Sequence, residues 1–181
     1  MWRFAASCAA CCAATSRPPP VGLAFLEPFA SSRTGNEAPL VRLTRAVDFS
    51  ASLRCARPDL SEDENRALFG RAASQHGHNY RLEVTVAGDV DPVTGMSVDL
   101  GLVDTAVKAA LLDRVDHYDL SATVPELAGV ITTGEGLARV FWQWLEPALP
   151  PGRLRRLAVV ETDSNAFEYG GETDTGEVTP R

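Results

Sequence analysis

The 181 residues suit one domain plus an appendage, and 45% hydrophobic with 23% charged residues is ordinary globular composition. The net charge of −7, with no Lys/Arg cluster, argues against a nucleic-acid partner, and no run of 18 apolar residues argues for a membrane span. Three of the four cysteines (Cys8, Cys11, Cys12) sit in the first dozen residues and only Cys55 lies in the body. That is no disulfide framework, so a reducing, cytoplasmic setting is expected. Cys11 and Cys12 are adjacent, not in C-x-x-C spacing, which disfavours a structural zinc there.

Residues 1–40 show no sustained period. They run from an Ala/Cys-rich start through Pro18-Pro19-Pro20 to the polar stretch Ser31–Asn36. A secretory signal is met weakly by Arg3 and Phe4–Ala14, because Ala and Cys substitute poorly for Leu. A transit peptide should be richer in Arg. The favoured reading is a disordered extension, or a reading frame begun too far upstream, with translation starting near Val41.

From Val41 the pattern sharpens. Val41, Leu43, Val47 and Phe49 alternate with polar residues, a half-buried strand that Arg45 interrupts. Ser61-x-x-Glu64 forms a capping box and Gly70 a stop, so a short helix lies between them. Tyr80, Leu82, Val84 and Val86 alternate as a second strand. Asp91-Pro92-x-Thr94-Gly95 is turn chemistry. A helix capped by Asp99 carries Val103, Val107, Ala110 and Leu111 on one face and ends near Val115. The next helix shows an apolar stripe of Leu137, Val140, Phe141, Trp144, Leu145 and Leu149. Thr132-x-x-Glu135 is expected to cap it, giving Glu135 a structural job, and Pro150-Pro151-Gly152 to end it. Leu154–Thr162 and Phe167–Tyr169 read as strands. The expected fold is α+β: a four-stranded antiparallel sheet with two long helices over one face, spanning 41–172, with 173–181 as a tail. The face left uncovered needs polar residues or another subunit.

Three places carry candidate chemistry. His76 and His78 at i and i+2 project to one side of a strand, poised for one metal ion, or are simply polar residues at a strand entrance. Asp116-His117 pairs a carboxylate with an imidazole, as a general base or relay needs; a histidine near a helix C-terminus is also favoured by the dipole alone. Glu161 at a strand end can accept two parallel hydrogen bonds from a guanidine-like edge, or be a solvated strand end.

Taken together, Phe49-Ser50-Ala51-Ser52, Leu68-Phe69-Gly70-Arg71, His76-Gly77-His78-Asn79-Tyr80, Asp91-Pro92-x-Thr94-Gly95-Met96, Val115-Asp116-His117 and Glu161-Thr162-Asp163 resemble the 6-pyruvoyl-tetrahydropterin synthase family, which includes the 6-carboxy-tetrahydropterin synthases of queuosine biosynthesis. The resemblance runs from about Val41 to Glu172. It implies a tunnelling fold whose subunits form a barrel, a homo-oligomer as trimer or hexamer. It implies a lyase acting on 7,8-dihydroneopterin triphosphate, with zinc held by three histidines. It further implies a cysteine that takes a proton with help from the Asp-His pair, Glu161 anchoring the pterin, and Thr133 near it.

Two positions depart from that pattern. The first zinc histidine is replaced by Leu53 and the catalytic cysteine by Ala72, with the spacing Ala72-Ala73-Ser74-Gln75-His76 kept. Leucine cannot bind zinc and alanine cannot transfer a proton, so impaired activity is expected. The alternative is a non-catalytic pterin-binding member or partner subunit. Cys55 shares a strand face with Leu53, but two residues of strand span roughly 6.6 Å, so serving as replacement ligand would require a bulge.

Overall fold

The computed structural model describes residues 40–172. In chain order these form β1 (Leu40–Leu53), α1 (Glu62–Phe69), β2 (His76–Asp89), α2 (Leu100–Val107), α3 (Asp113–Val115), α4 (Gly134–Leu145), β3 (Leu154–Thr162) and β4 (Asn165–Tyr169). The sheet order is β1-β2-β3-β4, antiparallel throughout. The expected α+β sandwich of four strands and covering helices is what forms. The N-terminal segment and the tail from 173 lie outside the described residues.

Strands β1 and β2 pair along their whole length, from Leu40↔Asp89 to Leu53↔His76. Both exceed the expected strands at their ends, and β2 takes in the His-Gly-His triplet. One face buries Phe49, Ala51, Leu53, Tyr80, Leu82, Val84 and Val86 against Val103, Val107 and Leu111 of the first long helix and Leu137, Phe141 and Leu145 of α4. Full burial of each large apolar side chain contributes about 1.5–3 kcal/mol, which makes this the main stabilising layer. Arg45 points to the same face without breaking it, because it pairs with Asp104 of α2 (Nη2 to Oδ2, 3.2 Å). The opposite face is polar: Thr44 and Thr85 hydroxyls meet at 2.9 Å, and Arg156 links Glu83 and Glu168 across three strands.

The α1 start follows its expected chemistry. Ser61 accepts from the Glu64 amide and Glu64 accepts from the Ser61 amide. Gly70, at φ 59°, then ends the helix in a conformation that disfavours side chains. Asp99 caps α2 by accepting from Gly101 and Leu102 amides. Between α2 and α3 the helix widens into a π turn, Lys108–Leu112, which the apolar stripe does not betray.

One cap differs from expectation. The N-cap of α4 is Thr133, whose hydroxyl accepts from the Gly136 amide; it is not Thr132. The Thr132 hydroxyl is buried and committed to the Arg54 carbonyl and the Ser121 hydroxyl. Glu135 therefore makes no capping box. The helix also ends at Leu145, passing into a 3₁₀ turn Glu146–Ala148, so Leu149 is buried outside it.

Candidate active site: a cleft at the β1–β2–β3 end

The β1–β2 register sets three rows across the sheet at its C-terminal β1 end: Leu53 with His76, Ala51 with His78, and Phe49 with Tyr80. Alternation places all six side chains on the helix-covered face. The rings form a column: His76 to His78 at 5.2 Å, His78 to Tyr80 at 5.3 Å, and Tyr80 stacked on Phe49 at 4.9 Å between centroids. His76 Nδ1 lies 2.8 Å from the Ser74 carbonyl oxygen. A carbonyl can only accept, so Nδ1 carries the proton and Nε2 keeps the lone pair. Metal-ligating histidines have their other ring N–H held by a carbonyl in this way.

The third corner is apolar. Leu53 is 1% exposed, packed into the core directly opposite His76. Among the described residues, no three His, Cys, Asp or Glu side chains gather around one point. Cys55 does not fill the gap. Strand β1 ends at Leu53, and beyond it the Cys55 amide donates to the Ala72 carbonyl (2.8 Å) while its thiol lies 3.8 Å from the Thr132 carbonyl. Burial, then the Glu161 and Glu135 carboxylates, push this thiol up, away from the thiolate a metal requires. Cys55 as a replacement ligand thus has no support in this arrangement. Two imidazoles and a leucine do not fit a resident catalytic zinc, which takes three protein ligands.

Asp116 and His117 follow α3 directly. The Asp116 carboxylate accepts from the Ser50 amide (3.0 Å), and the same oxygen lies 2.8 Å from His117 Nδ1. His117 is the one non-glycine residue with positive φ (65°) among those described. Such backbone costs on the order of 1–3 kcal/mol and must be held by its surroundings. What holds it is the β1 edge. The His117 amide donates to the Ser50 carbonyl, Ser52 donates to the Tyr118 carbonyl, and Leu120 donates back to Ser52. With Nδ1–H committed to Asp116, Nε2 faces outward as an acceptor on a side chain 81% exposed. The bland reading, a cation on a helix end, explains neither this carboxylate contact nor the strained backbone.

Glu161 sits at the far end of β3, half-buried, and makes no side-chain hydrogen bond or ion pair among the described residues. An open cleft of about 680 Å³ has Ser50, Asn79, Tyr80, Asp116, His117 and Glu161 in its lining. A second cleft, of about 420 Å³, shares Ser50, Asn79 and His117 with it and adds His78. The structure therefore brings Asp116, His117 and Glu161 together, with His78 next door. His76 and Thr133 line neither cleft; Thr133 is occupied as a helix cap. Sequence reading missed Tyr80 as a site residue, because alternation marks it only as a buried strand position.

This sheet, its helices and its Asp-His, Glu and His-x-His constellation define an α+β domain of the pterin-synthase type. The chain belongs to the 6-pyruvoyl tetrahydropterin synthase family, which it matches over residues 42–172. Human 6-pyruvoyl tetrahydrobiopterin synthase is 38% identical over 144 residues, covering 78% of this chain and 99% of the human one. The structure of Caenorhabditis elegans 6-pyruvoyl tetrahydropterin synthase is similar with a TM-score of 0.70 and 34% identity, over 74% of this chain and 97% of that one. A 6-carboxy-5,6,7,8-tetrahydropterin synthase from Rickettsia conorii is 30% identical over 78 residues, 43% of this chain and 49% of the other. Among the described residues no helix is long and apolar enough to cross a membrane.

Proposed function

We propose that this chain binds 7,8-dihydroneopterin triphosphate in the cleft that gathers Asp116, His117 and Glu161, and that it turns the substrate over slowly as a lyase of the 6-pyruvoyl type. The observation that carries the reading is that shared cleft. Among the described residues Glu161 has no side-chain partner, which leaves its carboxylate open to accept from the amide and amino edge of a pterin. His117, with Nδ1 fixed by Asp116, offers Nε2 to take a proton from the substrate side chain. The tetrahydrobiopterin branch is favoured over the queuosine branch because similarity to the human protein covers nearly all of it, whereas the 6-carboxy relative matches over half its length.

Slow turnover follows from positions 53 and 72. Leu53 removes a metal ligand from the row opposite His76, and Ala72 brings no ionisable group. These same two residues favour the second reading, a pterin-binding member that serves as partner to an active homologue. A homo-oligomer is part of either reading, since among the described residues β4 and the first half of β1 form the outer edges of the sheet, which are suited to pairing with other copies.

A turnover assay with 7,8-dihydroneopterin triphosphate tests the proposal on the unaltered protein, Leu53→His, Ala72→Cys and the double variant. Both groups act on one transition state, so the double variant should gain far more than either single change. An unaltered protein whose rate the double variant cannot improve would refute impaired catalysis.

A further inference from the structure

The Tyr80 hydroxyl is the buried side-chain polar atom left without a hydrogen-bond partner among the described residues. Tyr80 is 1% exposed, and its ring is fully employed in stacking on Phe49. Phenylalanine would make that stack equally well and leave no polar atom unpaired, so packing does not account for the hydroxyl.

Its neighbours suggest what does. Strands β2 and β3 pair up to Arg81↔Val160, so Tyr80 and Glu161, the residues next to that pair, come to the same end of the sheet, and both line the cleft. Among the described residues, a buried donor with no partner and a half-buried carboxylate with no side-chain partner thus share one cleft. A tyrosine phenol stays protonated across the neutral range, so it is available as a donor. The Cys55 thiol faces the Thr132 carbonyl, and the Thr133 hydroxyl caps α4.

A carboxylate offers about four lone-pair positions, and a bidentate ring edge takes two. In the open cleft, water serves the remainder. Once a ligand covers the cleft, the remaining lone pairs need a protein donor.

We propose that Tyr80 is a positioning residue of the pterin site: when ligand binds, its hydroxyl donates to Glu161 and fixes the carboxylate in the plane that receives the ring's amide edge. This rests on the reading of Glu161 as the pterin anchor.

The test is calorimetric titration with 7,8-dihydroneopterin, which lacks the triphosphate leaving group. Tyr80→Phe should weaken binding about 10-fold or more, the scale of a hydrogen bond to a charged group. It should leave the melting temperature of the ligand-free protein unchanged or raised. In a Glu161→Ala background the same change should have no further effect. In the unaltered protein, a slowly exchanging Tyr80 hydroxyl proton should emerge by NMR on ligand addition, a readout that needs no variant. Full affinity in Tyr80→Phe, while Glu161→Ala still weakens binding, would overturn the role of Tyr80 and leave the anchor intact. Additive losses in the double variant, or no protected hydroxyl proton in the complex, would also overturn it. No binding by the unaltered protein would overturn the anchor reading, and the role of Tyr80 with it.

Discussion

Leu53 lies directly opposite His76 on the β1–β2 ladder, both side chains on the helix-covered face. A histidine at position 53 would bring a third imidazole beside the two already there. The protein as purified should carry well under one zinc per subunit, and Leu53→His should raise that toward one, read by elemental analysis. Full occupancy in the unaltered protein, lost on Cys55→Ser, would show that the thiol turns away from Thr132 to complete the set.

The Asp116–His117 pair predicts a separation of binding from turnover. His117→Ala should lower the residual rate by roughly 10²–10⁴-fold, the range for a general acid–base group. Pterin affinity should stay within about 2-fold, because anchoring belongs to Glu161 and not to the imidazole. Rate and affinity measured on one preparation check this. An equal loss in both would mean His117 binds ligand instead of moving a proton.

Cys55 gives a pH-dependent signature. Its thiol is raised above the ordinary value of 9.0, first by burial and then by Glu161 and Glu135. The fold therefore favours the protonated form. Its contribution to stability is complete below the ordinary thiol range and is lost as pH climbs through the raised value. Alkylation of the Cys55 peptide, followed by mass spectrometry, should be slow in the native protein at pH 8 and rapid in urea. Fast native alkylation at pH 8 would contradict the burial and charge that surround this residue.

Much of this fold was legible because local chemistry and tertiary demand agree. Ser61 and Glu64 cap α1 as their spacing requires, and the stripe from Leu137 to Leu145 buries as periodicity says. Where they diverge, a distant partner decides. Thr132 and Thr133 are equivalent as caps in sequence, but Thr132 is needed by Arg54, 78 residues away in the chain, so the cap falls to Thr133. Arg45 breaks the alternation of β1 because its partner, Asp104, lies on a helix that the strand pattern cannot see. Asn65 reads as an ordinary helix residue, yet it is 3% exposed and ties the Arg57, Leu60 and Ser61 carbonyls together. In the site, the His-x-His and Asp-His pairs were visible as short-range patterns. Tyr80 was not, since its importance lies in the cleft it shares with Glu161 and in a hydroxyl that burial leaves unpaired. Cys55 as a replacement ligand needed a bulge that the sequence could not show; the strand stops at Leu53 and the Cys55 thiol faces the Thr132 carbonyl.

The most direct measurement is a calorimetric titration of the unaltered protein and of Glu161→Ala with 7,8-dihydroneopterin triphosphate. Saturable binding is expected in the unaltered protein, weakened in Glu161→Ala by about 1.5–3 kcal/mol, the scale of hydrogen bonds to a charged group. Equal affinity in the two proteins, or no heat of binding in either, would contradict the assignment of this cleft to a pterin.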